Sequence, residues 1–341
     1  MQLSGETDLG YYFLAGATVY FCDRNSDQWI VLCSRPDCTH SGSQCNGFFN
    51  GLKLYFFDNK IYTLGSLQET AADYGHSIIR MNLDGTDHES IYRLSDTVLG
   101  TKASGGMLSY YFHQGYLIVS INSEDLDQKT SHSRLLLISL SQPGKDPAVV
   151  VNQTGDDLVR FRSAAGDWIY YFIGEKSYAW SISEGKSIAT MDQFVPAMDE
   201  HPITGKYYGE KSLIQGRYLQ GISIINLENG ERQLLCNPGD IVDGQDGIWY
   251  TDGDHIFLTN ALMPLQGSFE RNLHIFDMTG KLVQSLPVDL DQQGYSAGLH
   301  TDASDRVFWV SSRSHSGLPD WYLNKSDIGT AELAWFRMEA G

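Results

Sequence analysis

A pattern that recurs along the whole chain restricts its fold more than any other feature. Each copy opens with a polar or glycine-containing turn and a short aromatic strand. A loop of variable length follows, then two alternating strands joined by a turn. The copy at 58–94 is the fullest: DNKIYTLGS (58–66), a loop, then HSIIRMNLDGTDHESIYRL (76–94). There Ile78, Arg80 and Asn82 alternate with Ile79, Met81 and Leu83 across the pleat, and Asp84-Gly85 supplies the hairpin turn.

Further copies begin at HQGYLIVSI (113–121), AGDWIYYFI (165–173), TGKYYGE (204–210), QDGIWYTDGD (245–254) and ASDRVFWVSS (303–312), and a shorter one opens the chain with GYYFLAG (10–16). Strand pairs in a constant internal order are better explained by radial repetition than by a β-sandwich, because repetition around an axis also protects the sheet edges. The pattern predicts an all-β chain, a seven-bladed β-propeller of mostly four-stranded blades. Six or eight blades are the alternatives, since the first copy is short and the strand preceding each aromatic strand is hard to see. No linker or charge run divides residues 1–341, so a single domain is expected, with an inter-blade loop at 33–50. The terminal strands should meet and close the ring, with residues near Tyr11–Phe13 and near Ala334–Arg337 in one or adjacent blades.

Composition agrees. The 42% of hydrophobic residues suffices for a core, and 34 Gly beside 9 Pro suits tight turns between many strands. A net charge of −18 repels phosphate backbones and anionic lipid, so nucleic acid is excluded as an expected partner. No apolar run reaches the ~18 residues of a membrane-spanning helix. The opening MQLSGETDLG has neither the basic nor the apolar region of a signal peptide.

The segment IIRMNLDGTDHESIY (78–92) resembles the strand-turn-strand signature of TolB-like and lipoprotein-receptor-like propellers. IVLCSRPDCTHSGSQCNGFF (30–49) is similar to the cysteine-containing segment of a family of bacterial propeller proteins, often lipoproteins. The resemblance implies a propeller exported to a bacterial cell surface, although no lipobox cysteine stands near the start. WD40, Kelch and sialidase Asp-box signatures are absent.

Three of the five cysteines, with one histidine, form C-x4-C-x-H-x4-C: Cys33, Cys38, His40 and Cys45, within 13 residues. Three thiolates and an imidazole are a complete tetrahedral set for a structural Zn²⁺, and a long loop with no core of its own gains most from such a staple. Two other readings stay open here. In an oxidising compartment two of the cysteines pair as a disulfide. Alternatively they are plain thiols: WIVLCSRPD aligns with RQLLCNPGD, which makes Cys33 and Cys236 equivalent strand-end residues. Cys22, in an alternating strand, reads as core.

Ligand sites in propellers gather where loops of several blades converge. Polar clusters that could lie there are Asp199-Glu200-His201, Asp252 with Asp254-His255, and His300-Thr301-Asp302. Paired carboxylates among them could cleave a carbohydrate as acid and base. Turn-forming Asp and Gly are nevertheless what the repeat itself demands. Trp168, Trp249 and Trp309 are read as equivalent blade-core residues, and Asp252-Gly253-Asp254 as a turn. With no nucleophile elbow, HExxH, phosphate loop or dinucleotide fingerprint in the chain, the expected function is a monomeric, extracellular or surface-attached propeller that binds a protein or glycan. A carbohydrate-active hydrolase or lyase is the rival reading, and a purely structural domain the third.

Overall fold

The aromatic runs of the repeat carry apolar residues at consecutive positions, and a strand with that pattern must be covered on both faces. The computed structural model describes residues 5–40, 42–51, 53–65, 77–94, 107–125, 130–155, 157–174, 176–189, 206–207, 212–217, 221–226, 231–236, 248–259, 272–288, 298–300, 303–310 and 317–340. They form seven antiparallel meander sheets, the blades of a β-propeller.

The first sheet holds β1 (Gly5–Thr7), β2 (Gly10–Ala15), β3 (Thr18–Asp23) and β4 (Gln28–Val31). The second holds β5 (Tyr55–Phe57), β6 (Lys60–Gly65), β7 (Ser77–Asn82) and β8 (Glu89–Arg93). β9 (Met107–His113), β10 (Tyr116–Asp125), β11 (Thr130–Ser139) and β12 (Ala148–Thr154) make the third. The fourth comprises β13 (Val159–Ala165), β14 (Trp168–Ile173), β15 (Lys176–Ser181) and β16 (Lys186–Ala189). In the fifth are β17 (Lys206–Tyr207), β18 (Ser212–Arg217), β19 (Gly221–Asn226) and β20 (Arg232–Cys236). The sixth is built from β21 (Ile248–Thr251), β22 (His255–Thr259), β23 (Asn272–Asp277) and β24 (Leu282–Pro287). The seventh has β25 (Gly298–His300), β26 (Arg306–Val310), β27 (Trp321–Asn324) and β28 (Phe336–Arg337), and β29 (Glu339–Ala340) follows it.

The chain divides into two compact units, residues 1–91, 218–221 and 235–341 in one, 92–217 and 222–234 in the other. In the first unit the core lies between consecutive sheets, and the period of two explains how. Tyr11, Phe13 and Ala15 of β2 pack with Phe308 and Val310 of β26, while Tyr12 turns the other way onto Ile61, Ile79 and Met81. In β26, Val307 and Trp309 face Phe257 and Leu273 instead. In the second unit Ile118, Leu135 and Leu137 pack with Ile169, Tyr171 and Trp180 in the same manner.

The two ends meet, as the sequence predicts. β29 adds parallel to β4, pairing Glu339 with Gln28 and Ala340 with Trp29, so the first sheet has five strands. Trp29 is sealed beneath this junction and donates its indole N–H to Pro319 O at 3.0 Å. Beside it, Arg24 bridges Glu6 and Asp305 at 3.1 and 3.2 Å, and Arg306 donates to the carbonyls of Arg24 and Ser26.

Two expectations about the phase of the repeat need correction. The aromatic runs at 204–210 and 245–254 contain first strands, β17 and β21, whereas the other runs hold second strands. Trp249 therefore lies in a first strand, paired with Leu258, and is not equivalent to Trp168 or Trp309. Nor are those two equivalent to each other. Trp168 opens its strand and is partly exposed, while Trp309 is the fourth residue of β26 and only 4% exposed. The true equivalence is the second residue of the second strand: Ile61, Leu117, Ile169, Ile256 and Val307 are all fully buried.

A second recurrent contact joins neighbouring sheets. Gly85, at φ +80°, ends the β7–β8 turn so close to Leu32 that a Cβ would stand 2.5 Å from its carbonyl oxygen. Gly280, at φ +84° before β24, meets Leu235 O in the same way. Leu32 and Leu235 each precede a cysteine, Cys33 and Cys236, so the predicted correspondence between those two segments has a structural counterpart.

Candidate metal centre

The chain leaves β4 at Val31 and reaches β5 through a long loop that carries all four predicted ligands. Cys33 N–H donates to Val31 O at 2.7 Å, Cys38 N–H to Arg35 O at 3.3 Å, and Cys45 N–H to Gly42 O at 3.1 Å. Three short turns thus gather the cysteines. The Arg35 guanidinium donates to Gln44 O at 2.7 Å and ties the two limbs of the loop together. His40 sits at φ +55°, a left-handed conformation that few residues adopt without something to hold it.

One ligand atom from each of Cys33, Cys38, His40 and Cys45 lies within 4.8 Å of all the others. Around a Zn²⁺ with sulfur at ~2.3 Å, tetrahedral ligands stand about 3.8 Å apart, so only a small contraction separates this cluster from coordination geometry. His40 Nδ1 is already 3.7 Å from Cys45 Sγ. Cys22, Cys33, Cys38 and Cys45 are free thiols. Cys45 is buried, Cys33 and Cys38 partly so, and His40 is exposed.

Backbone amides surround the sulfurs. The N–H of His40 reaches Cys38 Sγ at 3.4 Å and that of Gly47 reaches Cys45 Sγ at 3.3 Å. Arg35 and Asn46 donate theirs to Cys33. Each cysteine therefore accepts the amide two residues ahead, an arrangement that favours thiolate over thiol. Burial raises the Cys33 thiol, but the amides of Arg35 and Asn46 and hydrogen bonds with Cys38 and Cys45 outweigh it and bring the pKa to about 6. Burial pushes Cys45 the other way, to about 11, and its thiol neighbours reinforce the rise against the Gly47 amide. Chemically, three sulfurs and one imidazole saturate a tetrahedral cation and leave no open position for a reacting water.

Of the other predicted residues, the described ones form no second group of metal-ligating side chains. Asp252 is taken up by the fold: it pairs with Lys325 at 2.7 Å in a nearly buried ion pair, and its Oδ1 accepts the amides of Asp254 and His255. Asp252-Gly253-Asp254 is thus the turn expected of it. Burial opposes ionisation of Asp252, but the hydrogen bond and charge of Lys325 prevail and hold its carboxyl below the ordinary range. His255 Nδ1 lies 3.7 Å from Asp252. His300 is buried edge-on against Phe13, ring centroids 5.4 Å apart. Asp199, His201 and Asp302 lie outside the described residues. Cys22 is core, as expected: fully buried, its thiol raised to about 12 by burial first of all.

Sequence reasoning missed the amide donors Arg35, Asn46 and Gly47. For Arg35 and Gly47 the signal was available, since an N–H two residues beyond a cysteine is a regular way to solvate a thiolate; Asn46, which donates to Cys33 from 13 residues on, carried none. It also missed His88, whose ring contacts this loop from the second sheet; no pattern in the local sequence marks it.

No protein-family model matches the sequence, and no curated protein matches it. Among solved structures, the chain is similar to an oligogalacturonate lyase from Vibrio parahaemolyticus, with 10% identity and a TM-score of 0.56 over 95% of this chain and 89% of that one. It is also similar to an oligogalacturonate lyase in complex with manganese, at 12% identity and TM-score 0.51 over 90% and 82%. Kluyveromyces lactis Hsv2p aligns over 97% of this chain and 94% of its own, with 8% identity and a TM-score of 0.52. Likeness at such identities is a likeness of fold, and the fold is the β-propeller.

Proposed function

We propose that this chain is a non-catalytic β-propeller that binds a protein or glycan partner at a bacterial cell surface, acting as a single, monomeric domain whose long inter-blade loop is held by Zn²⁺ on Cys33, Cys38, His40 and Cys45. One observation carries the reading. Among the described residues the only His, Cys, Asp or Glu side chains placed three or more together to share a metal ion are this closed four-ligand set, whereas Asp252 and His300 serve the packing of the sheets. The charge of −18 adds a second argument, because it repels polyuronates, the substrates that a lyase on this fold would meet.

One preparation tests the proposal. Elemental analysis should give one zinc per chain, and all five thiols should titrate once the metal is chelated in denaturant. Substoichiometric zinc with two thiols missing would establish the disulfide instead. On a glycan array and in cell-surface binding the protein should bind without turnover. Cleavage of any neutral or acidic glycan that is lost in Asp254→Asn would show an enzyme and overturn the reading.

A further inference from the structure

Within the loop, two consecutive residues face the metal ligands with their amides and the neighbouring sheets with their carbonyls. Asn46 donates its N–H to Cys33 Sγ, and its carbonyl accepts from His88 Nε2 at 2.9 Å. Gly47 donates its N–H to Cys45 Sγ at 3.3 Å, and its carbonyl accepts the N–H of Val19 in β3 at 2.8 Å. His88 stands just before β8, so the two peptide units connect the sulfur cluster to the first sheet on one side and to the second on the other.

The surrounding contacts extend this connection. The His88 N–H is shared with Gly85 O at 3.1 Å, in the same turn that is pressed against Leu32. Phe49 lies edge-on to the His88 ring, centroids 5.7 Å apart, and is itself buried between the two sheets. Its N–H donates to Ala17 O at 2.8 Å, at the β2–β3 turn.

We infer that the metal site is an inter-blade clasp: zinc held by Cys33, Cys38, His40 and Cys45 fixes the peptide units of Asn46 and Gly47, and through them locks the first blade to the second at Val19 and His88. The inference rests on the reading of the four side chains as a zinc site. It adds that the ion acts beyond its own loop. Without the ion the four side chains are no longer drawn to one centre, so the sulfurs that both amides meet can shift, and when the amides turn away both carbonyl contacts go with them. Coupling of this kind is reciprocal, so losing the His88 contact must weaken zinc binding as surely as losing zinc loosens His88.

Two measurements on the full chain separate the clasp from the zinc site. In hydrogen–deuterium exchange of the zinc-loaded and chelator-stripped protein, the amides of Val19 and Phe49 should exchange at least tenfold faster without metal, while those of β14 and β15 keep their rates. In competition with a chromophoric chelator, His88→Ala should lower zinc affinity about threefold to tenfold, the worth of one hydrogen bond. His88→Gln, which retains an N–H donor, should recover part of that loss, and His132→Ala, in β11, should bind zinc as the native chain does. Failure to bind zinc at all defeats the metal reading, and the clasp with it. Stoichiometric zinc with exchange at Val19 and Phe49 indifferent to the metal, or with His88→Ala binding as tightly as the native chain, overturns the clasp alone. Should His88→Ala not fold, the exchange measurement on the native protein decides.

Discussion

Gly85→Ala tests how tightly consecutive blades are pressed together, and its cost can be built from two parts. At φ +80° an L side chain is strained by about 1–2 kcal/mol. The new methyl would also stand 2.5 Å from Leu32 O and 3.1 Å from Asn46 O, both backbone atoms that yield only if β4 or the metal loop moves. Overpacking of this kind costs roughly 1–3 kcal/mol. The expected loss is therefore about 2–5 kcal/mol. Gly16→Ala isolates the first part, because Gly16 has φ +60° with nothing within 4 Å of the added carbon, and it should cost only about 1–2 kcal/mol. Gly280→Ala, whose methyl would overlap Leu235 O, should fall at or beyond the upper end of the range. Urea unfolding followed by tryptophan fluorescence gives the differences through the shift in midpoint. If Gly85→Ala and Gly16→Ala agree within about 0.5 kcal/mol, the turn is not held against Leu32 and the packing argument fails.

Two further substitutions probe polar groups that serve the first unit. Asp252→Asn keeps an oxygen for the Asp254 and His255 amides but removes the carboxylate that faces the nearly buried Lys325 ammonium at 2.7 Å, for a loss of about 3 kcal/mol in the same urea assay. Because the native carboxyl titrates below its unfolded value, its contribution is complete above about pH 4 and disappears as pH falls through the lower, folded pKa; native stability should drop there and that of Asp252→Asn should lack this component. Tyr11→Phe removes the 2.6 Å hydrogen bond to Asp305, whose exposed carboxylate can return to water, so the cost should be about 1 kcal/mol by thermal or urea unfolding.

The fold was legible because its strongest rule is local. A turn residue followed by a strand whose second side chain is fully buried marks Asn59-Lys60-Ile61, Gly115-Tyr116-Leu117, Asp167-Trp168-Ile169, Asp254-His255-Ile256 and Asp305-Arg306-Val307 alike. The phase was lost where first strands are aromatic too, as in Lys206–Tyr207 and Ile248–Thr251; aromatic content reports burial between sheets and not position within one. Asp252–Asp254, read as a turn, is the turn between β21 and β22. The Cys33, Cys38, His40 and Cys45 cluster was legible for the same local reason, since all four residues fall within 13. His88 was not, because it meets the loop from 42 residues beyond Asn46, and a contact of that separation leaves no periodicity to read.

The loop between the first two sheets explains why a metal, rather than a larger core, would be used there. From Ser34 to Asn50 it has 17 residues, and among those described only Cys45, Gly47 and Phe49 are buried. Ordering such a segment costs at least about 1 kcal/mol per residue, on the order of 17 kcal/mol. Burying Phe49 and the small Cys45 side chain returns roughly 3 kcal/mol. The deficit of about 14 kcal/mol falls within the ~10–16 kcal/mol that structural zinc supplies when thiolates and imidazole close around it. Additional apolar residues would have to be buried in a segment whose neighbours on both sides are already packed to zero exposure, at Val19 and at Ile61. A cation needs no such space. It would bind at the partly exposed margin, through side chains drawn from the loop itself, and would leave the carbonyls of Asn46 and Gly47 free to hold the adjoining blades.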